Sequence, residues 1–456
     1  MAAPAVNRLL PLTLRTCGAQ LVHSDFLVRE IDGLVSPFTP KTLANFARAS
    51  RPAAALFSVE KFQYRDLDTL RRCADAFRLV GTKTIVCGPF PSFYPETFLG
   101  EGGFDAVLLG EPEANLVAAV RALIDGEQPD LPGVMIDPAQ RKRPVAVSDV
   151  DKLPSPLRFG SDLKNYYCNY PLPIPHKVRW GSMITTRGCG RGCLFCSPFD
   201  RITFASKVRP RAIDSVFDEA MSLTAMGANV LSLEDDDPTF SEGRVLELCD
   251  ALKRVPARFV CHARVDELNE RLLASLADAG CAMIKLGVES GCDAVIERLH
   301  KGKPDRWGQR AREVVRMASS KGIATCGLFI VGSPGETLAD LEQTRALILD
   351  TPFDIVQFHF FSPYPGSRFA RESNETLSAT DAAALYHYDS ATMDARRYAE
   401  ITTEQAAAFI RKTLTGFALR PGFAAAHLAR FGRFYLHNPD VLRRLAAGLR
   451  TGLLGQ

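Results

Sequence analysis

The stretch TTRGCGRGCLFCSP, residues 185–198, sets Cys189, Cys193 and Cys196 at the spacing C-x3-C-x2-C. Gly188, Gly190 and Gly192 stand beside them and leave the backbone free to wrap a compact object. Three thiolates on one short loop suit a soft metal centre. Upstream of the loop, residues 182–186 (SMITT) read as a strand. Five more apolar runs follow at 229–233, 258–262, 282–288, 324–331 and 354–360, with helical patterns between them. About six βα units fit, a full or partial parallel barrel of the TIM type. Its chemistry is expected at the carboxyl ends of the strands, where the cysteine loop lies.

The donor count narrows the metal. A structural zinc site takes four protein ligands, and His176, across a proline-rich stretch, is a poor fourth. Three ligands around a cubane iron–sulfur cluster leave one iron open. That iron suits the amino and carboxylate groups of S-adenosylmethionine (SAM), whose sulfonium then takes an electron.

Upstream, in a first domain taken as 1–150, residues 26–150 alternate short strands (53–59, 83–88 and 105–111) with helices, among them 113–126. Glycine-marked turns between them imply a Rossmann-like, doubly wound α/β sheet. Residues 88–95, GPFPSFYP, fall at a strand end, where such sheets bind ligands. The proline-rich span 151–180 reads as a linker or strap, 181–370 as the barrel and 371–456 as a helical segment. The tail RRLAAGLRTGLL reads as a packing helix rather than a membrane-touching one.

Composition bounds the rest. The chain has 456 residues, 46% of them hydrophobic and 23% charged, which is ordinary for a globular protein. A net charge of +3 is too small to point to nucleic acid. No apolar run is long enough to span a bilayer, and the start lacks the apolar core of a signal peptide. A cytoplasmic location is the expectation. Nine of the twelve cysteines (Cys17, Cys73, Cys87, Cys168, Cys249, Cys261, Cys281, Cys292 and Cys326) are scattered singly and read as buried small hydrophobes.

The cysteine spacing, Phe195 before the last cysteine and the barrel pattern resemble the radical SAM superfamily. Residues 30–59, VCGPFPSFYPETFL and DAVLLGEPEANL resemble the cobalamin-binding domain that precedes the barrel in B12-binding-domain members. LSLEDDDPTF, GCAMIKLGVESG, IATCGLFIVGSPGET and FSPYPGSRF resemble that class's barrel segments. The resemblance covers about 28–370. It implies an enzyme that uses a [4Fe-4S] cluster on Cys189, Cys193 and Cys196 to cleave SAM to a 5′-deoxyadenosyl radical. It also implies Phe195 near the adenine, Glu234 and Asp235 at the methionyl amino group, and Glu289 at the ribose. Arg264 would meet the methionyl carboxylate, and Gly332 would lie beside the cofactor. Each has a plainer alternative: an acidic turn before a helix capped by Ser241, a surface ion pair for Glu289, a solvated arginine, a tight turn. His262 and His359 end barrel strands and read either as cavity or as core residues.

Implied partners are a small-molecule substrate, of natural-product or lipid type, and an electron donor such as flavodoxin or ferredoxin. Cobalamin is the third implied cofactor. The cobalt-ligating motif D-x-H-x-x-G is absent, and the N-terminus is too short for the usual first strand and helix. Three functions follow: cobalamin-dependent methyl transfer to an unactivated carbon; a radical cyclisation, rearrangement or C–C bond formation; and a non-catalytic iron–sulfur or corrinoid regulator. The first is preferred over the second, and Glu289 with the six-strand barrel argues against the third.

Overall fold

The computed structural model describes residues 7–33, 35–59, 67–100, 103–197, 207–374, 376–384 and 398–444. Two parallel sheets organise it. The first contains β1 (Ala54–Ser58), β2 (Lys83–Cys87), β3 (Ala106–Leu108) and β4 (Val134–Met135), in that spatial order. β1 to β3 run parallel and β4 runs antiparallel to β3.

Alternation along these strands sends side chains to two cores, as a doubly wound sheet requires. Ile85, Cys87, Ala106 and Leu108 meet Cys17 and the helix Leu116–Ile124. Val86 and Val107 meet Phe90, Phe98 and Phe104 on the other face. Leu43, Ala47, Cys73 and Phe77 join the helices Pro40–Ser50 and Leu67–Arg78 beside Phe57.

The short N-terminus is ordered differently from the expectation. Pro11 occupies the N-cap of a helix, Leu12–His23, whose Cys17 packs under the sheet. Among the described residues no strand precedes β1, so the sheet begins one strand short of the expected pattern.

The second sheet holds β5 (Trp180–Met183), β6 (Val230–Leu233), β7 (Arg258–Arg264), β8 (Cys281–Glu289), β9 (Ala324–Val331) and β10 (Ile355–Phe360). Each strand pairs in parallel with its sequence neighbours, and β5 and β10 are the two edges. This is the partial six-strand barrel. Its outer face carries a continuous apolar core, including Phe259, Ile284, Leu286 and Phe329, under the surrounding helices.

β5 ends three residues earlier than the apolar run SMITT suggests, because Thr185 and Thr186 turn away to a carboxylate just beyond the next strand. The 151–180 span is more than a linker. Cys168, Leu172 and Ile174 are buried with Trp180, Val230, Val260 and Met283, and with Phe431 and Phe434 of the helix Phe423–His437. Strap and helix together form the barrel's floor.

The nine single cysteines are all buried. No helix of the described residues is long and apolar enough to cross a membrane. Most of the basic tail, residues 445–456, lies outside the described residues.

Candidate functional site at the carboxyl ends of the barrel strands

The cysteine loop leaves β5 under restraint. Asp235, at the end of β6, accepts four hydrogen bonds on Oδ1. Thr185 N donates at 2.7 Å, both threonine hydroxyls donate at 3.0 Å, and Thr186 N completes the set. Burial pushes the Asp235 carboxyl up to about 6, against these donors. Its Oδ2 is buried with no partner among the described residues. Asp235 thus anchors the start of the loop.

Arg187, the next residue out, enters a buried ion network. It pairs with Glu113 at 2.8 Å and approaches Glu111 at 3.8 Å. Arg209, its register partner in a short antiparallel ribbon, pairs with Glu111 at 2.6 Å. Glu111 and Glu113 follow β3, so this network locks the first sheet to the root of the loop. Gly188 and Gly192 then take φ of +91° and +108°, conformations that side chains resist.

None of the three loop cysteines forms a disulfide among the described residues. Cys193 Sγ accepts from Arg264 Nη1 at 3.4 Å. The rest of that guanidinium is held by Asp266, at 3.1 and 2.9 Å, and by the Lys301 carbonyl. Burial opposes the Arg264 charge, but Asp266 and Cys193 hold its pKa above the usual arginine value. Lys301 Nζ sits 2.8 Å from Glu289 Oε1 and 5.7 Å from the centre of the Phe195 ring. Burial lowers its pKa, yet Glu289 and Cys193 raise it further. Glu289 closes β8 at φ +64°, a costly conformation for a non-glycine residue that the strand end imposes.

Cys189 Sγ lies 3.8 Å from Asp237 Oδ2, to which Arg191 Nε donates at 3.1 Å. Arg191 also pairs with Glu267, and Glu267 reaches Arg264 Nε at 3.3 Å. Two charged chains therefore converge on the loop: Glu289–Lys301–Phe195 and Asp237–Arg191–Glu267. Both reach Arg264.

The structure brings together Cys193, Phe195, Arg264 and Glu289. Phe195 packs on Cys292, Leu299, Ile330 and Phe361. Glu234 is half-buried and accepts from Ser232 Oγ at 2.6 Å. Gly332, with φ +83°, stands apart at the end of β9, where its N–H donates to Glu336 at 2.7 Å. That turn precedes the capping box of the helix Leu338–Asp350. Ser241 takes the N-cap position of the helix Glu242–Leu252 but makes no side-chain cap hydrogen bond.

Four residues escaped the sequence reading. Asp237 lay inside the acidic run EDDD, where spacing alone could not single it out. Lys301 and Arg187 have partners far along the chain and no local pattern. Glu336, wholly buried, is pushed by desolvation up to about 8 against two backbone donors.

The donor chemistry fits a polynuclear iron–sulfur group. In such a group each cysteine would ligate its own iron. Among the described residues no three His, Cys, Asp or Glu side chains are gathered to hold a single ion.

Residues 183–348 match the Radical SAM superfamily. An uncharacterized methyltransferase of Pyrococcus horikoshii is 25% identical over 454 residues, covering 94% of this chain and 91% of that protein. Cytidylyl-2-hydroxyethylphosphonate methyltransferase of Streptomyces wedmorensis is 26% identical over 326 residues, 63% of this chain and 60% of that protein. Among solved structures, the radical S-adenosylmethionine methyltransferase TsrM of Kitasatospora setae, with cobalamin and a [4Fe-4S] cluster bound, superposes with a TM-score of 0.73. At 15% identity the match covers 96% of this chain and 97% of that one. The fold thus runs along both sheets as it does in TsrM, and residues 183–348 form the radical SAM domain of a radical SAM enzyme.

Proposed function

We propose that this enzyme is a cobalamin-dependent methyltransferase acting on an unactivated carbon of a small molecule. One observation carries the reading: the carboxyl ends of both sheets are fastened to the same cysteine loop. Arg187 joins the loop root to Glu113 after β3. Phe93, in the turn after β2, lies against Gly366 of the barrel's SPYPGSR segment, and Tyr94 donates to the Leu377 carbonyl at 3.0 Å. A group resting on the first sheet's strand ends would face the barrel mouth. The names of the two relatives, both methyltransferases, support the same reading.

Cys189, Cys193 and Cys196 would hold the cluster. Arg264 would hold Cys193 in place through its hydrogen bond to the sulfur, and Arg191 would offset Asp237 beside Cys189. Phe361, Phe369 and Tyr398, a set of edge-to-face rings, with Phe195 in the same apolar cluster, would wall the mouth and exclude water. When bound, the cluster supplies an electron that cleaves SAM to a 5′-deoxyadenosyl radical, and cobalamin supplies a methyl carrier. A small electron-transfer protein would deliver that electron.

The first sheet's strand ends suit a corrin. Val59, Phe90, Phe93 and Tyr94 form an apolar cluster there, and the chain has no histidine between His23 and His176. These residues would hold the macrocycle by apolar contact, and residues 24–175 would offer it no histidine. A second reading is radical cyclisation, rearrangement or C–C bond formation without methyl transfer. The absence of a strand before β1 among the described residues favours it, because a narrower sheet offers the corrin a smaller platform.

One experiment separates them. The protein is reconstituted anaerobically with iron, sulfide and cobalamin and given methyl-labelled SAM. Methyl transfer yields both S-adenosylhomocysteine and 5′-deoxyadenosine. Formation of 5′-deoxyadenosine alone selects the second reading. Replacing Cys189, Cys193 and Cys196 by alanine should abolish iron binding and both products; retained turnover would sink both readings.

A further inference from the structure

The barrel strands divide their side chains between two environments. On β8, Ile284, Leu286 and Val288 face the helices and are fully buried. The alternation sends Met283, Lys285, Gly287 and Glu289 inward. Lys285 is level with His262 on β7 and Cys326 on β9, its register partners. Beneath this layer lies the apolar floor of Met283, Val260, Leu172 and Phe431. Above it stand Glu289, Arg264 and the cysteine loop. His262, Leu328, Gln357 and His359, inward by the same alternation, are only partly buried, so the lumen above the floor is open.

Lys285 is 6% exposed. Among the described residues no carboxylate lies within ion-pair distance of its ammonium, and no hydrogen-bond acceptor holds it. Its neighbours are the Tyr170 ring, 5.5 Å away at the centroid, and the Cys326 thiol. Tyr170 is already engaged with Gln357 Oε1 at 3.1 Å. Burial pushes Cys326 up to about 12, so its thiol brings no charge at neutral pH. The other deeply buried cations near the mouth each have an acid: Glu289 for Lys301, Asp266 for Arg264, Glu113 for Arg187. A buried ammonium without a counter-ion is costly, and an incoming anion relieves that cost.

We propose that Lys285 forms an anion subsite at the base of the lumen, taking a carboxylate or phosphate group of the small-molecule substrate. This rests on the lumen being the reaction chamber of the function proposed above. Lys285 lies one inward position below Gly287 and two below Glu289. The anion it takes therefore belongs to a molecule reaching past the mouth, with its far end left at the loop.

The test uses cluster-reconstituted, full-length protein, titrated calorimetrically with inorganic phosphate and separately with benzoate. Wild type binds at least one of them at a single saturable site. Lys285→Met weakens that binding by about tenfold or more, while Lys285→Arg keeps it within about threefold. Without added anion, Lys285→Met also raises the apparent unfolding temperature, by about 2 °C, because an unpaired buried charge is gone. Equal binding by wild type and Lys285→Met, or no saturable site in wild type, overturns the proposal.

The titration is repeated with saturating SAM. Undiminished binding assigns the anion to the substrate. Blocked binding assigns it to the cofactor's carboxylate and overturns the substrate assignment. Iron and sulfide are assayed on the same samples. A wild type without cluster defeats the proposed function, and its anion titration still decides the fate of Lys285.

Discussion

The two sheets end in opposite kinds of surface. Barrel strands finish in charge: Asp235 after β6, Arg264 closing β7, Glu289 closing β8 and Glu336 beyond β9. The first sheet finishes in Val59, Gly88 and Leu109, with Phe90, Phe93 and Tyr94 around them. Burial makes a charged rim expensive unless each group is compensated: Arg264 and Glu289 have ion partners, Asp235 has four donors, and Glu336 keeps its proton. The apolar rim needs no such pairing and offers a flat, adhesive surface. A charged rim is suited to orienting a small ionic cofactor, and an apolar rim to seating a large planar one. The Arg187 network is where the two kinds of surface are joined.

That division is open to attack, most forcefully at the joint. Arg187→Met leaves Glu113 and part of Glu111 buried without a cation, and should cost about 3–5 kcal/mol in unfolding experiments. Adding Glu113→Gln should recover part of the loss; no recovery would mean that the network does not act as a unit.

A smaller effect belongs to the apolar side. Gly366 has φ +74°, and a Cβ there would strike the Phe93 ring. Gly366→Ala should cost about 2 kcal/mol through backbone strain and overpacking. Phe93→Leu in the same background should relieve the overpacking alone. Because no charge is involved, the cost should not change between pH 6 and 8.

The smallest effect is a slope on the charged side. Glu336 keeps its proton to about pH 8 in the folded state, whereas the ordinary value is 4.5. Stability from that proton is full below the unfolded value and is lost as pH rises through the folded one. Glu336→Gln can still accept from Gly332 and Ser333, so it should lose this decline and exceed wild type by about 1 kcal/mol at pH 8.5. Asp235, pushed up to about 6, contributes a decline of the same sign at lower pH in both proteins. Thermal unfolding midpoints across pH 5–9 check the difference; parallel curves would remove Glu336 from the account.

Much of this arrangement could be read from the chain. Most barrel strands announce themselves because they are buried largely on both faces and so appear as apolar runs, whereas the edge strand β10 is only partly buried. The cysteine loop declares its chemistry by spacing. The floor could not be read: Leu172 and Ile174 sit among prolines with no period, and their burial depends on Phe431 and Phe434, far along the chain. The same distance hid Arg187 and Lys301, whose meaning lies wholly in their partners. Asp235 was identified as a strand-end acid, but its four donors make it a loop anchor, a use that only the turn at Thr185 and Thr186 reveals.

The strand order has a consequence for how the molecule is made. Every barrel strand docks beside the one synthesised just before it, so the sheet can grow as the chain emerges. Its underside cannot, because the segments that seal it flank all six strands. Maturation therefore ends with a long-range closure. A nascent molecule caught before that step would have a complete rim above an unsealed bottom, open to water from below.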